Sequence, residues 1–437
     1  MIEQIAKSAR QASVKTAALS GQAKNNALLL VADALLAAEQ AIIKANQADL
    51  ARAQQEQLSS VLAKRLLFDG GKLRDVVVGI QSLVSLADPV GRTLAATELD
   101  EGLELYRVSS PIGVLGVVFE SRPDALVQIS CLALKSGNAV LLKGGREAAE
   151  TNRVLAEVIS EAAIRAGLPE GWLALLETRD DVTAMLELDD YIDLVIPRGS
   201  NAFVKHVMDN TRIAVLGHAD GICHVYVDGQ ADIDQAVRIA FDSKCQYAAV
   251  CNAMETLLVD AAIARDFLPL VKAQYDNAGV ELRGDDRTQA IIECKPADEI
   301  DWATEYNDLT LSIKVVDGLD EAIDHINTFG SGHTDAIVTR DSGVAEQFMS
   351  LVDSGNVFWN CSTRYSDGFR YGLGAEVGIS TNKIHARGPV GLDGLTIYKW
   401  KLFGKGHVVS DYSGPDARSF THRSFNSECP FDKGGRC

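Results

Sequence analysis

The run PIGVLGVVFESRPDALVQISCLALKSGNAVLLKGG, residues 111–145, decides the fold. Residues 113–119 are continuously apolar, rich in β-branched side chains and bounded by Gly and Pro, which predicts a strand buried on both faces. A helical period follows over 123–136, and a second buried strand over 139–143. Strand, helix, strand at this spacing predicts a parallel pair joined by a crossover helix.

Outward from this unit the alternation continues. Helix is expected over 148–167, strand over 173–176, helix over 182–188, strand over 194–197, helix over 201–210 and strand over 224–227. Each crossover helix must cover one sheet face, so the pattern predicts a doubly wound sheet and a nucleotide-binding domain. A second α/β series begins near residue 233, with strands at 256–259, 313–315, 336–339 and 355–359, and implies a further layered domain with its own core. Before residue 84 the pattern is helical and Ala-rich, suited to covering something else. The segment from residue 103 alternates before entering the buried strand. A stretch with seven glycines spans 367–394, followed by LTIYKWKLFG, an edge or intersubunit strand. The last residues, FNSECPFDKGGRC, read as a loose tail.

The chain has 437 residues, 47% of them hydrophobic and 23% charged, which suits two or three globular domains and excludes disorder. Against 60 acidic side chains stand 42 basic ones, a net charge of -18 that disfavours nucleic acid and anionic membranes. An anionic ligand must therefore meet clustered cations. The N-terminus lacks the layout of a secretory signal, and no uncharged apolar run is long enough to span a bilayer. Eight Cys without a CxxC spacing point to a reducing compartment, so the cytoplasm is expected; no metal site is indicated.

Cys251, in KCQYAAVCNAMETLLVD, precedes a strand-like run near the start of the second series. A thiolate attacks carbonyls well, but the residue taken alone reads first as a buried packing thiol. Four separated motifs decide between these readings. SPIGVLGVVFESRPD, VLLKGGREA, SKCQYAAVCNAMETLLV and STRYSDGFRYGLGAEVGISTNKIHARGPVGLDGLTIYKW occur in the order and character of the gamma-glutamyl phosphate reductases. The chain thus resembles a branch of the aldehyde dehydrogenase superfamily.

The resemblance implies an α/β, aldehyde-dehydrogenase-like fold with two Rossmann-like domains and a small β oligomerisation extension. The NADP-binding domain would comprise 1–98 and 111–227, with 362–394 returning to it. The catalytic domain would be 228–361, the extension 99–110 and 395–412, and the loose tail 425–437. It places the family's nucleophile on Cys251 and implies NADPH-dependent reduction of L-glutamyl 5-phosphate to glutamate 5-semialdehyde through a Cys thioester, in proline biosynthesis. Oxidising relatives carry a Glu that activates water in an ELG stretch; here VLG puts Val215 there, which disfavours thioester hydrolysis. Their oxyanion-hole Asn matches Ser121, leaving the backbone N–H of Cys251 as the surer donor.

For the cofactor the resemblance points to Lys143 and Glu305 at the two riboses. Arg146 replaces an acidic residue and suits a 2′-phosphate, favouring NADPH. Arg198, Gly199 and Ser200 sit in a strand-to-helix turn whose backbone N–H groups can face a pyrophosphate. Arg122, Arg364, Lys383, His385 and Arg387 are the cations expected for the anionic substrate, Arg364 foremost, with Asn360 as a neutral donor. A homo-oligomer is expected, and the chain begins in the reductase-like region, so a separate glutamate 5-kinase is expected to supply the acyl phosphate. Two rivals are weighed: a dehydrogenase acting on a CoA thioester or free aldehyde, disfavoured by Val215, and a non-catalytic assembly protein that kept the fold.

Overall fold

The computed structural model describes residues 2–120, 122–217 and 220–430. Its first sheet has five strands in the order Leu173–Leu175, Ala139–Lys143, Val114–Phe119, Leu194–Arg198 and Ala214–Val215, all parallel. Every residue of Val114–Phe119 is buried. The two faces separate by alternation: Leu115, Val117 and Phe119 enter one core with the helices Gly21–Ala37, Gly70–Ser85 and Pro123–Lys135, while Val114 and Val118 enter another with Ala6, Ala9 and Met185. The N-terminal helices thus cover both faces. Strand order reverses between Val114–Phe119 and Leu194–Arg198, which opens a crevice at their carboxyl ends.

The second sheet has seven parallel strands, ordered Lys295–Pro296, Glu281–Gly284, Thr310–Val316, Met254–Asp260, Cys223–Val227, Thr334–Val338 and Asn356–Trp359. Here the structure departs from the expected boundary at residue 227. Cys223–Val227 pairs with Met254–Asp260 and Thr334–Val338, because the first sheet already ends on the two-residue strand Ala214–Val215. The strands Glu281–Gly284 and Lys295–Pro296 are short and polar, and periodicity does not reveal them.

Beside these sheets lies an antiparallel sheet of Thr93–Asp100, Leu103–Pro111 and Thr396–Phe403, with Arg423–Ser424 on its far edge. The hairpin therefore starts six residues before the expected 99. Ile397, Tyr398, Trp400 and Leu402 project into solvent from its last long strand. The tail is also corrected over 425–430: the Phe425 ring lies 5.8 Å from Tyr106, Cys429 is buried, and its N–H donates to Thr93 Oγ1 at 2.9 Å. The rest of the expected tail, 431–437, lies outside the described residues. Val377, Val390, Leu392 and Leu395 pack into the core of the five-stranded sheet. Among the described residues no single helix is long and apolar enough to cross a membrane, and no His/Cys/Asp/Glu group forms a metal cluster.

Candidate functional site

Cys251 sits in the turn between the helix Ile233–Cys245 and the strand Met254–Asp260, at the amino edge of the seven-stranded sheet. Gly221, just before the neighbouring strand, lies against it. A Cβ there would fall 2.3 Å from Cys251 O and 2.5 Å from its Cα, so only glycine permits the approach. Behind the turn, the buried Cys223 Sγ donates to Cys251 O at 3.2 Å and lies 3.6 Å from His333 Nδ1. Burial pushes the Cys223 thiol well above its ordinary range, so it stays a neutral donor.

Two further bonds fix the turn. Asn252 Nδ2 donates to Ser366 O at 2.7 Å. Lys244, in the last turn of the preceding helix, pairs at 2.6 Å with Glu255 on the following strand, and both are 0% exposed. Glu255 Oε1 also accepts the Asn307 N–H at 3.3 Å, which links the nucleophile turn to the segment carrying Glu305.

Burial pushes the Cys251 thiol up to about 12, with Glu305 and Glu376 adding to the rise and its own backbone N–H and Arg364 opposing it. The resting sulfur is therefore protonated at neutral pH. Arg364 is buried in a short 3₁₀ turn, and its Nε donates to Gln246 Oε1 at 2.9 Å. Glu376 accepts the Gly368 N–H at 2.8 Å, and burial raises its carboxyl while Arg198 pulls it down.

Facing this edge are the carboxyl ends of the five-stranded sheet. Arg198 ends its strand, Gly199 and Ser200 turn the chain, and the helix Asn201–Asp209 begins. The Ser200 side chain makes no cap hydrogen bond, and its N–H donates to Glu120 Oε1 at 3.3 Å. Asn201 Nδ2 donates to Asp220 at 2.8 Å and to Glu305 Oε2 at 2.6 Å, which ties the two edges together. Lys143 is buried at its strand end, with Nζ donating to Gly144 O at 2.7 Å. Arg146 is exposed and lies 3.3 Å from Glu56.

The other expected residues have partners of their own. Arg122 pairs with Asp124 at 2.8 Å, and both line a cavity of about 290 Å³ between the helices Gly70–Ser85 and Pro123–Lys135. Asn360 adopts a left-handed φ of 56°, and its amide bonds the Thr339 N–H at 3.0 Å and O at 2.9 Å; it shapes a turn. Lys383 and Arg387 both pair with Asp353, and His385 Nε2 donates to Gly394 O at 2.8 Å. Ser121 lies outside the described residues. Val215 is buried, with its backbone O accepting from Asn382 Nδ2 at 2.8 Å. Sequence reasoning passed over Glu376, Gly221 and the Lys244–Glu255 pair. An acidic residue in the Gly-rich run and a Gly–x–Cys ahead of a buried strand were the available signals.

A thiol at a sheet edge, facing the switch point of a doubly wound sheet, is the arrangement of a cofactor-dependent acyl-transferring oxidoreductase. The chain belongs to the aldehyde dehydrogenase family, whose model matches residues 1–305. Within that family its relatives are gamma-glutamyl phosphate reductases. The enzyme of Ruminiclostridium cellulolyticum is 63% identical over 427 residues, covering 98% of this chain and 99% of that one. The enzyme of Pelotomaculum thermopropionicum is 62% identical over the same length. Among solved structures, the gamma-glutamyl phosphate reductase of Thermotoga maritima matches with 38% identity and a TM-score of 0.91, covering 93% of this chain and 99% of that one. An acetylating aldehyde dehydrogenase of Geobacillus thermoglucosidasius, at 17% identity and a TM-score of 0.61, shares the fold.

Proposed function

We propose that this chain reduces L-glutamyl 5-phosphate to L-glutamate 5-semialdehyde with NADPH and releases phosphate, a step of proline biosynthesis. The observation that carries this reading is Cys251 held against Gly221 at the sheet edge, with Glu305 on its own side and the Arg198 end of the opposite sheet facing it, and an apolar Val215 where the resemblance places the base of oxidising relatives.

Cys251 Sγ attacks the γ-carbonyl carbon, the C–O bond to phosphate breaks, and a thioester forms. The thiol proton ends on the departing phosphate, so no net acid or base is consumed in this half. The Cys251 N–H meets the carbonyl oxygen as charge develops, with Ser121 as the second donor by resemblance. Without a carboxylate at Val215, water is not activated and the thioester persists. A bound nicotinamide supplies the hydride that reduces it.

The residues present fit such a cofactor. The unfilled cap at Ser200 leaves helix-start N–H groups for a pyrophosphate, together with Gly199 and the Arg198 peptide. Lys143 and Glu305 take the riboses. Arg146 reaches a 2′-phosphate by leaving Glu56, a surface pair worth about 0–1 kcal/mol. The cavity beside Arg122 carries both signs of charge, Lys72 and Arg122 against Asp75 and Asp124, and suits the α-carboxylate and α-ammonium of a glutamyl group. The apolar strand Thr396–Phe403 is the surface where copies join, and a cytoplasmic glutamate 5-kinase supplies the labile substrate.

The test is NADPH oxidation coupled to a glutamate kinase, ATP and glutamate, and its reverse with phosphate against CoA. Turnover in the first and phosphate dependence in the second support the reading. CoA dependence without phosphate dependence rejects it.

A further inference from the structure

Arg198 Nη1 is sealed from solvent and has no hydrogen-bond partner among the described residues. A buried guanidinium atom without an acceptor is costly, and native proteins rarely keep one without a use. The other candidate cations are engaged: Arg364 with Gln246, Arg370 with Arg364 O, Arg122 with Asp124, and Lys383 and Arg387 with Asp353. Burial pulls the Arg198 guanidinium down most and Arg122 adds to this, while Glu376, Asp124 and Cys251, once ionised, oppose it, which places Arg198 close to the reacting sulfur. Its strand runs parallel to Val114–Phe119 with Arg198 opposite Phe119, so the side chain starts from the crevice. A guanidinium remains charged even when buried and offers a planar fork matched to phosphate oxygens. The net charge of -18 repels a free anion, so a phosphoryl group needs such a local cation.

We propose that the Arg198 side chain binds the phosphoryl group of the acyl phosphate and stabilises it as it departs. This rests on the reaction proposed above. The peptide of Arg198 serves the cofactor turn, while its side chain serves the substrate. As the Cys251 S–C bond forms and the C–O bond breaks, the electron pair leaves with phosphate. That oxygen gains the thiol proton, and the guanidinium holds the dianion that results.

The experiment is the reverse reaction, phosphate-dependent NADP⁺ reduction with glutamate semialdehyde, in wild type, Arg198→Met and Arg198→Lys. Losing charge-assisted hydrogen bonds should raise the KM for phosphate about 10- to 100-fold in Arg198→Met while leaving that for NADP⁺ within about twofold. Arg198→Lys keeps the charge, guards against misfolding, and should show a smaller rise in the same parameter. Inorganic phosphate should also slow iodoacetamide alkylation of Cys251 in wild type and not in Arg198→Met. A raised KM for NADP⁺ with phosphate unmoved, or equal phosphate protection in both proteins, overturns the proposal. A wild type that ignores phosphate altogether refutes instead the reaction assigned to the chain.

Discussion

The two edges that face each other are built on opposite principles. The carboxyl edge of the five-stranded sheet offers backbone N–H groups and exposed side chains such as Arg146 and Ser200. The amino edge of the seven-stranded sheet is a buried polar assembly, in which Gly221, Cys223, Lys244 and Glu255 clamp one turn. Substitutions on the first should change affinity by degrees and leave stability alone. Substitutions on the second should strike the chemistry where they touch the nucleophile turn and the fold where they unpair a buried partner.

The largest effect belongs to the sulfur. Cys251→Ala should lower turnover by about 10⁴-fold or more while NADPH binding, followed by fluorescence titration, and thermal melting stay unchanged. Next comes Gly221→Ala, whose new methyl would press on the Cys251 backbone and displace the nucleophile. A loss of about 10²-fold in kcat is expected, with the KM for NADPH little altered, in steady-state assays.

The Lys244–Glu255 pair sharpens the contrast in stability. Lys244→Met strands a buried carboxylate and should cost about 3–5 kcal/mol in urea unfolding, whereas Lys244→Met/Glu255→Leu together should be nearly neutral. Burial raises the Glu255 carboxyl from 4.5 to about 7, against the pull of Lys244. The folded chain therefore holds a proton there that the unfolded chain releases. That contribution to stability is fully present below the ordinary carboxylate value and is lost as pH rises through about 7. The double variant should flatten this part of the stability profile, and an unchanged profile would remove Glu255 as its source. The smallest effect is Arg146→Ala, which should weaken NADPH about tenfold or less, spare NADH, and leave the melting temperature in place because its pair with Glu56 is exposed.

The sequence exposes the same asymmetry. Val114–Phe119 is readable because both its faces are buried and every position is apolar. Cys251 is readable through the run around it. Cys223–Val227 is just as buried, but which sheet takes it depends on pairing with Thr334–Val338, more than a hundred residues away, and local periodicity carries no record of that. Lys383 and Arg387 look like anion-binding groups because their partner Asp353 is 30 and 34 residues upstream, respectively. Asn360 looks like a free donor because its left-handed φ is a property of the folded turn. Glu376 escapes for the converse reason: it reads as one acidic residue in a Gly-rich run, and its place in the field of Cys251 is made by tertiary packing.

The central claim is covalent, and one measurement addresses it directly. Wild-type protein mixed with L-glutamyl 5-phosphate in the absence of NADPH, quenched in acid and digested, should yield the Cys251 peptide carrying one glutamyl group by mass spectrometry. An unmodified Cys251 peptide alongside stoichiometric phosphate release, or a glutamyl group on Cys361 or another thiol, would contradict the account.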